Sequence, residues 1–330
     1  MENNPVTDQS MPLTPVVTVI CLCYNQQDYV KEAICSVLNQ DYKNIELMVV
    51  DDASTDHSPD EILKVIKDHP EISFIQLEKN VGNCRAFNTA LFRAKGSFII
   101  DLAADDVLLP ERISTGVVAL EAAGPDFGVN FTDAALIDEN SIIIGYHYRR
   151  DTKGKLLDSL PQGDVYQEIL SRYFICPPTM MARKEVFEQL NGYDESLAYE
   201  DFDFFVRSSR NFNYCYTDKV LVQKRILADS LSSKQYKPES QQLLSTYLIC
   251  SKAFELNRSK EEHLALQKRI RYELRQAILS NNYKIATKFL SLYKKINPGF
   301  LYLTLMKILI FLKPNLSFVN RLRIKIKMMS

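Results

Sequence analysis

VTVICLCYNQQDYVKEAICSVLNQDYKNIELMVVDDASTD, residues 17–56, sets an amphipathic stretch between two apolar runs and ends in a cluster of acids and hydroxyls. The runs VVTVICL (16–22) and IELMVV (45–50) read as buried strands, and Val30, Ala33, Ile34, Val37 and Leu38 recur at helical spacing between them. After DDASTD, Ser58 stands as a helix cap, with Pro59 in the first turn and Asp60 and Glu61 near its positive end. Ile72 to Leu77 then reads as a strand, Cys84 to Ala94 as a helix and Ser97 to Leu102 as a strand. This alternation predicts an α/β fold with a mostly parallel sheet and helices on both faces.

Asp51-Asp52 and Asp105-Asp106 each follow one of these apolar runs, and Glu200-Asp201 forms a third acidic pair. The C-terminal ends of strands in an open α/β sheet form its ligand crevice, so carboxylates delivered there converge. A converging set suits a metal, a sugar nucleotide, or both.

A chain of 330 residues, 46% apolar and 25% charged, is an ordinary globular protein: one sizeable α/β domain with an appendage, or two small domains. A net charge of -1 gives no global reason to expect nucleic acid. The average conceals an asymmetry, since no acidic residue follows Glu273 while lysines and arginines continue to Lys327. The seven cysteines form no CxxC pair, which points to reduced, buried thiols and a cytoplasmic protein; the polar start MENNPVTDQSMP lacks a signal-peptide pattern. His57, His69, His147 and His263 have no partner at zinc-ligand spacing, and no G-x-S-x-G elbow supports hydrolase chemistry.

Beyond Glu111 the alternation loosens. Short strands are expected at Phe127 to Phe131, Ser141 to Ile144, and around Tyr214 and Leu221; the polar stretch from Arg149 to Gly163 reads as a mobile loop. A helix is expected near Glu200, and from about Pro238 the chain reads as successive helices.

Three further stretches complete an ordered motif set: NVGNCRAFNTAL (80–91), KGSFIIDLAADDVLLPERI (95–113) and PPTMMARKEVFEQLNGYDESLAYEDFDFFVR (177–207). Together with the opening stretch, over roughly residues 15–232, they resemble the family-2 glycosyltransferases of the GT-A fold. That resemblance implies a Rossmann-like mixed sheet flanked by helices, with residues 1–14 as a flexible start and 233–330 as a helical, basic appendage. The implied activity is transfer of a sugar, with inversion, from a nucleotide-sugar donor, a UDP-sugar first, to a hydroxyl of a glycan or lipid-linked acceptor.

The resemblance puts the nucleotide base near Cys23, Tyr24 and Asn25, with Asp52 reading its edge. An aromatic can stack on uracil while a carboxylate accepts the ring N–H, although Asp51 to Asp56 would equally serve as a capping turn. Asp105 and Asp106 occupy the metal-binding element, where Mg2+ or Mn2+ would neutralise the donor diphosphate. Asp105 thus counts as both a donor and a metal contact. Ala103 stands where that element's first aspartate is usual, and Asp101, two residues earlier, is read as a buried structural partner. Glu200-Asp201 matches the family's ED motif, making Asp201 the general base and Glu200 its acceptor-side partner, with Asp203 a lesser base candidate; a helix-dipole role competes. Arg85 and Asn88 fall at donor-contacting positions, with Phe87 replacing the usual arginine. In KRILADSLSS (224–233), Leu227 replaces a usual histidine, leaving Arg225, Ser230 and Ser232 as phosphate contacts.

FLYLTLMKILIFL (300–312) is too short to span a bilayer, but with the basic RLRIKIKMM (321–329) it suits an anionic membrane surface. Burial against the rest of the protein is the competing reading. The one-sided charge favours a peripheral position at the inner face of the plasma membrane. Two other functions stay open: a non-catalytic sugar-nucleotide-binding subunit, suggested by Ala103, Phe87 and Leu227, and a sugar nucleotidyltransferase, disfavoured by the missing Gly-rich triphosphate loop.

Overall fold

The computed structural model describes residues 14–227 and 235–316. Seven strands and their helices build the first half in the expected order: β1 Val17–Cys23, α1 Val30–Leu38, β2 Ile45–Asp51, α2 Ser58–Asp68, β3 Ser73–Gln76, α3 Asn83–Leu91, β4 Phe98–Ala103, β5 Val107–Leu108, α4 Arg112–Ala123, β6 Phe127–Ile137 and β7 Ile143–Tyr146. There follow α5 Tyr166–Ser171, β8 Met181–Arg183, α6 Lys184–Leu190, α7 Asp201–Ser208 and β9 Asn213–Arg225. Four helices close the described chain: α8 Gln241–Leu256, α9 Lys260–Leu279, α10 Tyr283–Ile296 and α11 Phe300–Leu312.

The sheet runs β3-β2-β1-β4-β8-β6-β9-β5, with β7 beside β6. Its first four strands are parallel, in keeping with the apolar runs of β1, β2 and β4. On β1, Val17, Val19, Cys21 and Cys23 pack with α1, α2 and α4, while Ile20 and Leu22 pack into the opposite layer. Past β4 the sheet becomes mixed: β8 is antiparallel to β4 and β6, whereas β9 runs parallel to β6. A mostly parallel sheet therefore holds only for the first half.

The two short strands expected near Tyr214 and Leu221 are one thirteen-residue strand, β9, and β6 extends to Ile137. The polar 149–163 stretch is pinned at its start by Arg150, which pairs with fully buried Asp133 at 2.7 Å and with Asp218 at 2.6 Å. Helices α8 to α11 do not stand apart, because their apolar faces belong to the same core cluster as α3, α5 and α7. Among the described residues no helix is long and apolar enough to cross a membrane. All seven cysteines are free, and six are buried.

Candidate active site

The ends of β1 and β2 are knitted into one shelf. Asn25 and Ala53 both adopt left-handed backbone, which turns the chain sharply after each strand. Ser54 Oγ accepts from Asn25 N–H at 2.9 Å, Asn25 Oδ1 accepts from Thr55 N–H at 2.8 Å, and Asp56 accepts from Gln27 N–H at 3.1 Å. The capping-turn reading of Asp51 to Asp56 is thus real, and it coexists with an open shelf. Cys23 lies beneath the shelf, where burial raises its thiol to about 11. Tyr24, 47% exposed, is the aromatic available for stacking.

Asp52 binds inward: its two oxygens accept Val81 N–H at 2.7 Å and Gly82 N–H at 2.9 Å, fastening the loop before α3. Burial raises its pKa, and those two N–H groups pull it back. Asp51 accepts Ser54 N–H at 3.0 Å on one oxygen, while its other oxygen, Oδ1, is buried with no hydrogen-bond partner. A buried acceptor left open is costly unless something donates to it, so the shelf has one acceptor in reserve, on Asp51.

Arg85 and Asn88 turn away from such a role. Arg85 pairs with Glu195 at 2.8 Å, and buried Asn88 bonds Tyr193 through both its amide oxygen and nitrogen, each at 2.9 Å. They hold the Gly192 to Glu195 turn. Phe87 is fully buried against Phe187 and Tyr193 rings, which explains why an apolar residue is needed at that position.

The 105–106 segment is tied to the C-terminal end of β9. Arg225 N–H donates to Asp106 Oδ1 at 2.9 Å, and Arg225 Nε donates to the Asp105 carbonyl at 3.0 Å. The remaining guanidinium donors reach Asp138 O at 2.9 Å, Ser141 Oγ at 3.0 Å and Glu32 at 2.6 Å. With its donors spent and its body buried, Arg225 is a structural tie and not the phosphate contact expected of it. Ser230 and Ser232 lie outside the described residues.

Burial lifts Asp105 above the usual carboxylate range and, with the neighbouring Asp105 charge, lifts Asp106 to about 8. Two hard oxygen donors that resist ionisation without a counter-charge fit a divalent cation. Among the described residues no group of three or more His, Cys, Asp or Glu side chains is placed to hold an ion alone. The pair therefore fits Mg2+ or Mn2+ as part of a ligand set, since Mg2+ sites commonly rest on one or two carboxylates.

Asp201 opens α7 at the wall of a cavity of about 590 Å³. Burial raises its carboxyl to about 6, against the pull of Lys224 and a hydrogen bond from Tyr173. Glu200 accepts from Asn83 Nδ2 at 2.8 Å, and burial together with the Asp201 and Asp101 charges holds it well above the usual range. Asp101 accepts from the Tyr193 hydroxyl at 3.0 Å, and burial and the Asp201 charge raise it to about 7. Of the acids here, Asp203 is excluded as a base, since it is buried between Arg207 at 2.6 Å and Lys252 at 2.7 Å.

Lys224 lies within electrostatic reach of both acidic centres and was missed in the sequence. Half-buried on β9, it feels the charges of Asp106, Asp201 and Asp105. Strand alternation was the available signal: if Arg225 turns into the fold, its neighbour Lys224 turns to the other face.

The family model for Glycosyl transferase family 2 matches residues 18–190, more than half of the chain. An uncharacterised glycosyltransferase of Methanocaldococcus jannaschii is 30% identical over 220 residues, which cover 64% of this chain and 71% of that protein. Among solved structures, Staphylococcus aureus TarS residues 1–349 in complex with UDP-GlcNAc matches with a TM-score of 0.60 at 16% identity, over 86% of this chain and 90% of that one. The mannosyltransferase PcManGT of Pyrobaculum calidifontis, in complex with GDP-Man and Mn2+, matches with a TM-score of 0.56 at 17% identity, over 92% and 89% of the two chains. The chain belongs to glycosyltransferase family 2, as an enzyme of the GT-A fold.

Proposed function

We propose that the enzyme moves a sugar from a UDP-sugar to an acceptor hydroxyl with inversion, using Asp201 as general base. The observation that carries this reading is that Asp201 and Lys224 line one cavity, with Lys224 also within electrostatic reach of Asp105 and Asp106. The nucleotide would lie on the shelf after β1 and β2, with Tyr24 stacking on the base and a remaining lone pair of Asp52 receiving a ring N–H. A divalent cation held by Asp105 and Asp106 would neutralise the diphosphate as it leaves.

Asp201 takes the acceptor proton as the hydroxyl oxygen attacks the anomeric carbon from the face opposite the leaving group. Tyr173 orients that carboxylate, Lys224 favours its ionised form, and Glu200, held by Asn83, flanks it on the acceptor side. The uridine choice is supported by the TarS complex, the cation by the PcManGT complex. In this reading residues 15–232 form the transferase unit and 233–330 a helical extension that completes the acceptor side.

Peripheral membrane attachment belongs to the same proposal. Leu303 and Met306 of α11 are buried, while Leu301 (83% exposed), Leu305, Ile308 and Leu312 form an outward apolar face at helical spacing. The basic 321–329 stretch lies outside the described residues. Thermal-shift titration with UDP and GDP, each with and without Mn2+, tests the donor assignment. UDP should stabilise the protein and Mn2+ should enlarge the shift; a shift with GDP alone would move the donor to another nucleotide.

A further inference from the structure

We propose that the acceptor is an anionic saccharide, bearing phosphate or carboxylate groups, that lies along α9 with its reacting hydroxyl at Asp201. The inference rests on the transferase reading above and names the substrate class of that same site.

The cavity at Asp201 has two walls of different origin. Asp201, Lys224 and Arg172 come from the sheet side, and Lys268, Tyr272 and Arg275 come from α9. The α9 residues stand at i, i+4 and i+7, so one helical face lines the cavity, and all three are exposed. Arg172, Lys268 and Arg275 make no ion pair among the described residues, whereas Arg269, buried beside them, is neutralised by Glu273 at 2.9 Å. Among the described residues, the buried cation is thus compensated and the ones that face the opening are not.

The acids facing the cavity cannot be the partners of these cations during turnover. Asp201 is needed for the proton, Glu200 is held by Asn83 at 2.8 Å, and Glu273 is taken by Arg269 at 2.9 Å. Three free cations around an open space next to the base call for negative charge on the incoming molecule. A second cavity of about 250 Å³ continues outward and shares Lys268 and Arg275 with the first, adding Arg271. Arg271 thus extends the cationic face of α9 past the first cavity, which suits an acceptor that carries charge on more than one unit. Tyr272 offers a ring face between Lys268 and Arg275, a surface on which a pyranose can stack while its charged groups are gripped on either side.

The test uses the full chain with Mn2+ present, at ~0.15 M salt to screen weak surface attraction. Three labelled oligomers of matched length serve as probes: a glycerol phosphate oligomer, an oligogalacturonate and a neutral maltooligosaccharide. At least one anionic oligomer should bind about tenfold or more tighter than the neutral one, and Lys268→Gln/Arg275→Gln should remove that preference. Lys268→Arg/Arg275→Lys should retain it, as should Lys64→Gln/Lys67→Gln, which removes equal charge from distant α2. Binding by the phosphate oligomer alone assigns a phosphate-bearing acceptor, and by the galacturonate alone a carboxylate-bearing one. Equal binding of the neutral oligomer, or an undiminished preference in Lys268→Gln/Arg275→Gln, overturns the proposal. Thermal shift by UDP or GDP in the same samples separates the failures: nucleotide binding without anion preference sinks only the acceptor class, and no nucleotide binding sinks the transferase reading beneath it.

Discussion

Asp201 shows how one carboxyl is set for proton transfer at neutral pH. An ordinary aspartate is too weak a base, and burial raises this one to about 6 while Lys224 stops it rising further. The ionised form is the active one, so transfer should be lost below pH 6 and rise to a plateau above it, as a pH profile of kcat would record. Replacing Lys224 by Met removes the cation that lowers the Asp201 pKa, so the acidic limb should move to higher pH. An unmoved limb would deny Lys224 its positioning role. Asp203, two residues on, differs in kind: it is buried and held by two cations. Asp203→Asn should lower stability by about 1–3 kcal/mol, discounted for the partial exposure of Arg207 and Lys252, and leave the limb of the pH profile in place; chemical denaturation measures the first.

The turn from Gly192 to Glu195 depends on α3, and through it on the start of α7. Asn88→Ala strips Tyr193 N–H and its carbonyl of their partner in a buried site, and should cost about 2–4 kcal/mol by denaturant unfolding. Gly192→Ala should be comparably damaging, because a Cβ there would meet Asn88 Oδ1 at 2.4 Å. These elements also mark how far the sequence could be read. The strands and helices through β4 were legible because β1, β2 and β4 are largely buried on both faces, so their apolar runs are nearly continuous, with β3 at the sheet edge. β9 was broken in two because Thr217, Asp218 and Lys219 interrupt its apolar pattern at a register shift against β6. Asp201, Asp105 and Asp106 were singled out by the motifs that carry the family resemblance. Asn88 and Arg85 were not, because a motif position cannot say whether an amide faces a ligand or the turn opposite. Lys268, Tyr272 and Arg275 carry no motif; only the folding of α9 against α5 and α7 brings them to the base.

Taken whole, the proposed arrangement places the nucleotide at the ends of β1 and β2, the base at the start of α7, and the acceptor along α9, a helix beyond the family's matched region. The same arrangement turns the apolar outer face of α11 toward a bilayer. Removing residues from Phe300 onward should release the protein from anionic liposomes in a sedimentation assay while UDP still stabilises it; equal sedimentation by the shortened chain would remove the membrane assignment. The claim on which the rest depends is that Asp201 deprotonates the acceptor. Release of UDP from a panel of UDP-sugars with Mn2+ and acceptor, compared between wild type and Asp201→Asn, tests it most directly. The variant should lose about 10²–10⁴-fold in kcat while its thermal shift with UDP is unchanged. Turnover by Asp201→Asn within a few-fold of wild type would contradict the account.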